Sequence, residues 1–334
     1  MIQQASLSVE SQWQKELKQS FTRPEDLLTF LNLDPEQYEQ DSKARKLFNM
    51  RVPRHFASLM KKSDPNDPLL LQVLPNKHEF VEEVGFIADP LAEHQAKKPG
   101  LLHKYQSRVL LMFKTGCAVN CRYCFRRHFP YAENSVNKAK LKEALDYIAS
   151  EPEINEVIIS GGDPLMADDK TVAWFLSECE KLPQLKRFRI HTRLPVVLPS
   201  RVTSELTEML ANSRLKAIVV LHINHKNEIS TELKQACHEL KRAGVTLLNQ
   251  AVLLKDVNDN DDALVELSEA LFESDILPYY LHLFDKVKGA SHFYINDQTA
   301  GELYKQILAR LPGFLVPKLV REIGGETSKT PVLP

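Results

Sequence analysis

Six short apolar runs follow one another along the middle of the chain, at residues 108–115, 155–160, 187–192, 216–223, 245–254 and 277–284. They are almost continuously apolar, as strands are when helices cover both faces of a parallel sheet. Amphipathic patterns with the period of a helix lie between them, at residues 139–149, 170–182, 202–211, 230–243 and 261–272. This alternation predicts an α/β protein with a parallel sheet, either a β/α barrel or a doubly wound sheet.

The two ends of the chain differ from this core. The first 60 or so residues are polar, and they predict short amphipathic helices at residues 11–20 and 23–32. A stretch rich in Pro and Asp at residues 63–68 predicts a loop, and residues 76–107 look irregular or weakly helical. We therefore expect an N-terminal helical and irregular extension (1–100), a β/α barrel core (101–290) and a C-terminal segment (291–334).

Composition and charge exclude several classes of protein. The chain has 43 Lys and Arg against 44 Asp and Glu, so no basic surface for nucleic acid or anionic lipid is expected. No apolar stretch approaches the roughly 20 residues that span a bilayer, and the N-terminus does not resemble a signal peptide. Five cysteines are too few for a secreted disulfide scaffold, and an odd number of cysteines cannot all form disulfide pairs. We expect a cytoplasmic protein with reduced thiols and with no nucleic-acid or membrane partner.

Three of the five cysteines lie within eight residues, directly after the first predicted strand. Cys117, Cys121 and Cys124 have the spacing C-x3-C-x2-C, with Tyr123 before the last cysteine. Active sites of β/α barrels lie at the C-terminal ends of the strands. Three thiolates there can hold three irons of a [4Fe–4S] cluster and leave the fourth iron open. The alternatives are a structural zinc site, with His128 as the nearby fourth ligand, and unrelated buried thiols.

The second predicted strand ends in Ser160, Gly161, Gly162 and Asp163. The chain has only 11 glycines, and two of them stand together here. Because paired glycines let a backbone approach a ligand closely, we expect this segment to bind a cofactor at the strand end. The alternative is an ordinary Gly-Gly-Asp-Pro turn without a ligand.

The cysteine loop and this glycine segment together resemble the signature of radical S-adenosylmethionine enzymes. The resemblance implies a partial, open β/α barrel with about six parallel strands. It also implies that the open iron binds S-adenosylmethionine, and that one-electron reduction then gives a 5′-deoxyadenosyl radical. The Gly-Gly segment would bind the amino group of S-adenosylmethionine.

A narrower resemblance runs from about residue 64 to 331, where the chain is similar to the lysine 2,3-aminomutase family, which also uses pyridoxal phosphate. The similar stretches are Asp-Pro-Leu at 89–91, Arg-Val-Leu at 108–110, Cys-Phe-Arg-Arg-His-Phe at 124–129, Arg-Leu-Pro-Val-Val-Leu-Pro at 193–199, His-Ile-Asn-His at 222–225, Asn-Gln-Ala-Val-Leu-Leu at 249–254 and Val-Asn-Asp at 257–259. The implied reaction is a radical 1,2-amino shift that converts L-α-lysine to β-lysine. The short N-terminus and the end at residue 334 look most like the branch that makes (R)-β-lysine for modification of elongation factor P.

The resemblance implies which residues bind pyridoxal phosphate. Lys329 would carry the cofactor, although the family's longest form of this segment has four glycines and here the lysine follows Gly-Gly-Glu-Thr-Ser. Lys104 and Arg108 would bind the phosphate group. Without the resemblance, Lys329 would be a solvated lysine near the chain end and Lys104 a surface charge.

The resemblance also implies how lysine is bound. Arg126 would pair with the substrate carboxylate, and Asp285 and Glu322 would receive its ε-ammonium group. Two carboxylates favour lysine over glutamate, whose side chain they would repel. Glu322 replaces an Asp of the clostridial-type pattern, which keeps the charge and adds a methylene. The alternatives are a solvated loop at Asp285 and a surface ion pair between Glu322 and Arg321.

His222 and Gln250 end the fourth and fifth predicted strands, and the resemblance places them beside S-adenosylmethionine; a core histidine is the alternative for His222. Cys179 and Cys237 lie in helical patterns and are expected to be small buried residues. The implied partners are a reductant such as flavodoxin or ferredoxin, elongation factor P and its lysine ligase, and the oligomeric state is left open. Two other kinds of function stay open: an aminomutase that acts on glutamate or that makes free β-lysine for another pathway, and a non-catalytic iron–sulfur or zinc module.

Overall fold

The computed structural model describes residues 10–93, 100–130 and 137–333, and within them one sheet of nine strands forms the centre of the molecule. The strands are β1 (Leu101–Tyr105), β2 (Arg108–Lys114), β3 (Glu156–Gly161), β4 (Arg187–Thr192), β5 (Lys216–Leu221), β6 (Thr246–Val252), β7 (Leu277–His282), β8 (Lys318–Arg321) and β9 (Thr330–Pro331).

The strands lie side by side in chain order. Strands β2 to β8 are parallel to one another, and β1 and β9 are antiparallel additions at the two edges. A doubly wound sheet would reverse its strand order at a switch point, whereas an unbroken sequential order is that of a barrel. The two free edges make this barrel an open one. The predicted partial β/α barrel is therefore confirmed.

Helices connect the strands and cover the outer face of the sheet. Within the described residues they are α1 (Gln12–Lys18), α2 (Pro24–Phe30), α3 (Glu39–Ser42), α4 (Arg54–Ser58), α5 (Pro68–Leu71), α6 (Lys138–Ser150), α7 (Asp169–Glu180), α8 (Leu194–Val197), α9 (Ser204–Asn212), α10 (Thr231–Arg242), α11 (Asp261–Phe272) and α12 (Asp297–Arg310). Among these helices, none is long and apolar enough to cross a bilayer.

Local sequence signals set the ends of the barrel helices. The helices α6, α7, α9, α10, α11 and α12 each follow a polar residue whose side chain accepts a backbone N–H of the first turn. Such a cap stabilises a helix by about 1 kcal/mol. Gly244 follows α10 with a φ of +77°, and Val245 N donates to Leu240 O at 3.1 Å. This left-handed glycine ends the helix as the sequence predicts.

The main hydrophobic core lies between the sheet and the helices. On β4, Phe188 and Ile190 are buried, and the Phe188 ring lies 6.3 Å from that of Phe175 on α7. Burial of a side chain of this size contributes roughly 1.5–3 kcal/mol. Arg189 and His191 alternate with them, so they face the other side of the strand, towards the barrel lumen, and they are only half-buried. The lumen is thus lined by polar groups, as a binding site requires and a packed core does not.

The structure adds elements that the sequence pattern does not predict, among them the short helices α5 and α8, the longer helix α12 and the strands β1, β8 and β9. Residues 101–105, expected to be irregular, form β1 because they pair with β2 through a tight turn. Strands of two to five residues are too short to show a period, so only their pairing partners reveal them.

Candidate active site

The cysteine loop follows β2 at the mouth of the barrel, and its three thiols lie together. Burial and then the charges of Cys124, Asp163 and Cys121 raise the pKa of Cys117 well above its usual value. Burial and the charge of Cys121 raise the pKa of Cys124 to about 11. Coordination to iron would reverse this effect, because a coordinating thiol is deprotonated outright. The three sulfurs therefore suit a cluster that takes three protein ligands from one loop.

His128, the nearby fourth ligand that the zinc alternative would need, bonds elsewhere in the structure. In the part of the chain that the structure describes, no three His, Cys, Asp or Glu side chains are arranged to hold a single metal ion. His128 lies with its Nε2 atom 3.0 Å from the carbonyl oxygen of Lys288, so it bonds to a backbone group. The cluster on the three thiols stays a prediction for this loop.

The N-terminal extension holds the cysteine loop in place. Arg51 Nη1 donates to the carbonyl oxygen of Cys117 at 3.0 Å. Arg122 and Arg127, which belong to the loop and the turn after it, both pair with the carboxylate of Glu79, and all three side chains are fully buried. Removing Glu79 would leave two buried cations unpaired, at a cost of roughly 3–5 kcal/mol. Part of the N-terminal extension thus acts as a support for the loop.

The Gly-Gly segment runs beside the start of the cysteine loop. Gly162 N donates to the Lys114 oxygen at 2.7 Å, and Asp163 N donates to the Gly116 oxygen at 2.9 Å. A Cβ atom on Gly162 would lie 2.5 Å from the Gly116 oxygen, and Gly161 has a φ of +118°. Both positions therefore need glycine to join the end of β3 to the cysteine loop. Close contact between the backbone of this segment and a cofactor stays a prediction.

The carboxylate of Asp163 is satisfied by protein donors. It accepts hydrogen bonds from the Thr192 hydroxyl at 2.7 Å and from the backbone N–H groups of Arg193, Leu194 and Leu165 at 2.8–3.0 Å. Burial raises its pKa, and these hydrogen bonds oppose the rise. The side chain therefore fixes the turn after β4, so a contact between this residue and a cofactor would come from its backbone.

Unpartnered polar atoms line the lumen. The amide nitrogen of Gln250 lies 2.9 Å from Nε2 of His222. Burial and then nearby positive charges lower the pKa of His222 to about 3, so the ring is neutral and accepts this hydrogen bond. Among the described residues, Gln250 Oε1, His191 Nε2 and His282 Nε2 are buried and have no hydrogen-bond partner. Since buried polar atoms are nearly always paired, the lumen is built for a polar ligand.

Lys329 reaches the lumen from the loop between β8 and β9. Its Nζ atom lies 2.5 Å from Glu322 Oε2 and 5.5 Å from the ring centre of Tyr280, and the side chain is 21% exposed. Burial and then the charge of Lys329 lower the pKa of His282, which places the ammonium group near that lumen residue. Lys329 is thus not a solvated lysine of the chain end. Its attachment to pyridoxal phosphate stays a prediction.

The two predicted acidic residues lie near Lys329 and near each other. Burial raises the pKa of Asp285 to about 7; Lys329 lowers it and Glu322 raises it further. Arg321, the alternative partner of Glu322, instead pairs with Asp297 at 2.5 Å. The structure therefore gathers one lysine and two carboxylates at the mouth, where a substrate ammonium group would also be stabilised.

Arg126 and Lys104 share one protein carboxylate, that of Glu93. Arg126 donates to it through Nε at 2.7 Å and Nη2 at 3.1 Å, and Lys104 Nζ lies 3.6 Å from the nearer oxygen. Arg126 Nη1 donates to Gly161 O at 3.3 Å and Ser160 Oγ at 3.4 Å. Burial raises the pKa of Glu93, but the two cations outweigh it and lower the pKa overall. Sequence reasoning missed Glu93, because one acidic residue two positions after a motif gives no signal.

Tyr105 connects Arg108 to Glu322. The guanidinium carbon of Arg108 lies 3.8 Å from the centre of the Tyr105 ring. The Tyr105 hydroxyl donates to Glu322 Oε1 at 3.0 Å, so β1 contacts the loop after β8 across the open side of the barrel. The C-terminal loop closes on the N-terminal extension as well, since a Cβ atom on Gly324 would lie 3.2 Å from the backbone of Leu91. These contacts bring both predicted phosphate ligands, Lys104 and Arg108, near the Lys329 loop.

The fold and this site define a class of enzyme. The family model described as the Radical SAM superfamily matches residues 111–268, from β2 into α11, and so includes the cysteine loop. The protein is a radical S-adenosylmethionine enzyme, a class that uses a [4Fe–4S] cluster and S-adenosylmethionine.

Two relatives match almost the whole chain. The L-lysine 2,3-aminomutase of Escherichia coli is 53% identical over 96% of this chain and 94% of the relative, and that of Haemophilus influenzae is 53% identical over 98% and 97%. The chain therefore belongs to the L-lysine 2,3-aminomutase family, whose members are isomerases. The family resemblance stated from the sequence is confirmed. Among solved structures, native anSMEcpe with bound AdoMet and a peptide aligns with a TM-score of 0.46 at 13% identity, over 61% of this chain and 58% of that one.

Proposed function

We propose that this protein converts L-α-lysine to (R)-β-lysine by moving the amino group from C2 to C3. One observation carries the proposal: Lys329, Asp285 and Glu322 meet at the mouth of a polar lumen, beside a loop with three grouped thiols. The names of relatives with 49–53% identity support lysine as the substrate. An iron–sulfur module without catalysis would have no use for a lysine paired inside the barrel.

Three cofactors serve this reaction in the proposal. The cluster held by Cys117, Cys121 and Cys124 would, with S-adenosylmethionine, supply the radical, and pyridoxal phosphate on Lys329 would carry the migrating amino group. The unpartnered lumen atoms fit polar ligands of this kind. His222 and Gln250 are the proposed contacts on the S-adenosylmethionine side, together with the Ser160–Asp163 strand end.

The protein residues bind and orient lysine through its opposite charges. Arg126 would bind the carboxylate with its planar guanidinium, and Lys104 and Arg108 would neutralise the phosphate group of the cofactor. At the other end, the ε-ammonium group of lysine would replace the charge of Lys329 beside Glu322 and Asp285. Fixing both ends places C2 and C3 of the substrate at one position in the lumen, which lowers the entropic cost of the reaction.

The wider biology follows from the sequence resemblance. We propose that the β-lysine serves the modification of elongation factor P by its lysine ligase. A low-potential donor such as flavodoxin or ferredoxin would supply the electron, and the cytoplasm would keep the thiols reduced. Deleting the gene should leave elongation factor P without β-lysine, as measured by mass spectrometry of the intact factor. A fully modified factor in the deletion strain would refute this link.

The pH dependence of kcat/KM for lysine should report the ionisation of the Asp285 carboxyl group. A carboxyl with a pKa of about 7 is protonated below that pH and negative above it, so lysine binds better above it. We expect kcat/KM for lysine to rise through one ionisation near pH 7, since this ratio reports the free enzyme. Asp285→Asn should lower kcat/KM by roughly 30-fold or more and remove the ionisation. Asp256→Asn, at an exposed position, should change neither kcat/KM nor the ionisation near pH 7. An unchanged ionisation in Asp285→Asn would contradict this assignment.

Glu93 should orient Arg126. Glu93→Gln keeps the shape but removes the negative charge that two cations share. We expect the KM for lysine to rise roughly tenfold, the scale of one hydrogen bond to a charged group, while the iron content stays the same. Steady-state kinetics under anaerobic conditions measure this. A KM that is unchanged would remove the orienting role, and a lower KM would show that Glu93 competes with the substrate carboxylate.

A further inference from the structure

Arg193 contacts the cysteine loop from the turn after β4. Its Nη1 atom lies 2.8 Å from the sulfur of Cys121 and 2.7 Å from the hydroxyl oxygen of Tyr123. Its Nη2 atom donates to Gln72 Oε1 at 2.6 Å and to Glu228 Oε2 at 2.8 Å. The residue is 4% exposed, so water does not compete for these donors.

Hydrogen bonds hold both terminal nitrogens of the guanidinium group, and the backbone of Arg193 is held as well. Glu228 and Gln72 fix the Nη2 edge, and the Asp163 carboxylate accepts the backbone N–H of Arg193 at 2.8 Å. The ring centre of Phe56 lies 5.3 Å from the guanidinium carbon. The three segments that supply these contacts are the N-terminal extension, the end of β3 and the turn after β5. Arg193 therefore cannot turn away from Cys121 without losing several buried hydrogen bonds.

We propose that Arg193 is a positioning residue that orients the Cys121 sulfur and raises the reduction potential of the cluster on the three cysteines. The inference rests on the proposed assignment of these cysteines as cluster ligands. A hydrogen bond to a ligand sulfur is one of the levers that set the potential of an iron–sulfur cluster. Reduction adds one electron, supplied by a low-potential donor, and breaks no bond. Because the added negative charge spreads onto the sulfurs, a fixed N–H donor stabilises the reduced state more than the oxidised state.

The charge of Glu228 limits this effect without cancelling it. The carboxylate lies on the Nη2 edge, whereas the sulfur lies against Nη1. The ion pair therefore compensates the net charge of the buried cation, while the Nη1–H bond remains directed at Cys121. Glu228 is held by the backbone N–H groups of Asn224 and His225 at 2.9 and 3.1 Å, so the pair keeps its geometry.

The test compares two buried arginines. Arg193→Gln removes the donor to the sulfur. Arg201→Gln is the matched control: Arg201 is fully buried and donates to the carbonyl oxygens of Leu165 and Ala167 at 2.7 and 2.9 Å, and it bonds to no cysteine. For each purified protein, iron per chain and the midpoint potential are measured anaerobically, with dithionite titration followed by electron paramagnetic resonance.

We expect Arg193→Gln to keep its iron. At a fixed potential, its ratio of reduced to oxidised cluster should fall about tenfold, which corresponds to a midpoint potential lower by 59 mV for a one-electron couple. Arg201→Gln should keep the iron content and the midpoint potential of the wild-type protein. An unchanged potential in iron-loaded Arg193→Gln would overturn the proposal. If Arg193→Gln loses iron, Arg193→Lys is measured instead and should show a smaller fall in potential; loss of iron in both would assign Arg193 to cluster assembly and overturn the claim about potential. Iron-free wild-type protein would refute the cysteine assignment itself.

Discussion

Replacing Lys329 with alanine is expected to abolish β-lysine formation and the absorbance of lysine-bound pyridoxal phosphate. The Nζ atom of Lys329 lies inside the barrel mouth, where it is paired with Glu322 at 2.5 Å. Removing a covalent catalytic group lowers rates by several orders of magnitude, so we expect a loss of more than about 10³-fold. The absorbance spectrum and an anaerobic activity assay on the same preparation measure both effects.

Lys318→Ala provides the matched control for this prediction. Lys318 lies on β8 in the same C-terminal segment, and its side chain is exposed. It should keep both the absorbance and the activity. Full activity in Lys329→Ala would refute the pyridoxal assignment, whereas equal losses in both variants would point to a general disturbance of the segment.

Replacing Cys121 with alanine is expected to prevent assembly of the cluster. The variant keeps two thiolates for a cluster that needs three, and it also removes the acceptor of the Arg193 bond at 2.8 Å. Iron should fall from about four atoms per chain to nearly none, and the brown colour should disappear. Iron and sulfide analysis of anaerobic preparations gives the answer directly.

Cys237→Ala is the control for iron content. Cys237 is fully buried in α10, in the hydrophobic core outside the barrel, and far along the chain from the cysteine loop. We expect it to lower the free energy of unfolding slightly and to leave the iron content unchanged. Unchanged iron in Cys121→Ala would show that the ligand set is wrong.

The barrel strands could be predicted because each holds apolar residues, either in a run or at alternating positions as on β4, between turn residues and helical patterns. β4 covers the predicted residues 187–192, and β7 starts at the predicted residue 277 and ends two residues before the predicted end at 284. By contrast, β8 has four residues and β9 has two, and their sequences carry no period of their own. β8 is a strand because β7 offers an edge to which it adds, and β9 adds to β8 in turn. Only the folded sheet contains that information.

The same distinction applies to the site. The three cysteines lie within eight residues, so their spacing can be read from the sequence. The partners of these groups come from distant parts of the chain: Glu93 meets Arg126 across 33 residues, and Arg193 meets Cys121 across 72. Such pairs have no local pattern. Lys329 could be selected only through the family resemblance, since a lysine near the chain end is usually solvated.

We propose that substrate choice depends on the acidic pair at the mouth. Asp285 and Glu322 would stabilise an ammonium group and repel the side chain of glutamate, whose carboxylate would face two others. We therefore expect no β-glutamate from glutamate under conditions in which lysine reacts.

The most direct test of the proposed function is an anaerobic incubation of the cofactor-loaded protein with L-lysine, S-adenosylmethionine and reductant, followed by chiral analysis of the products. We predict (R)-β-lysine, formed only when S-adenosylmethionine and reductant are both present. The absence of β-lysine from a preparation that holds about four irons per chain and lysine-bound pyridoxal phosphate would contradict the proposal.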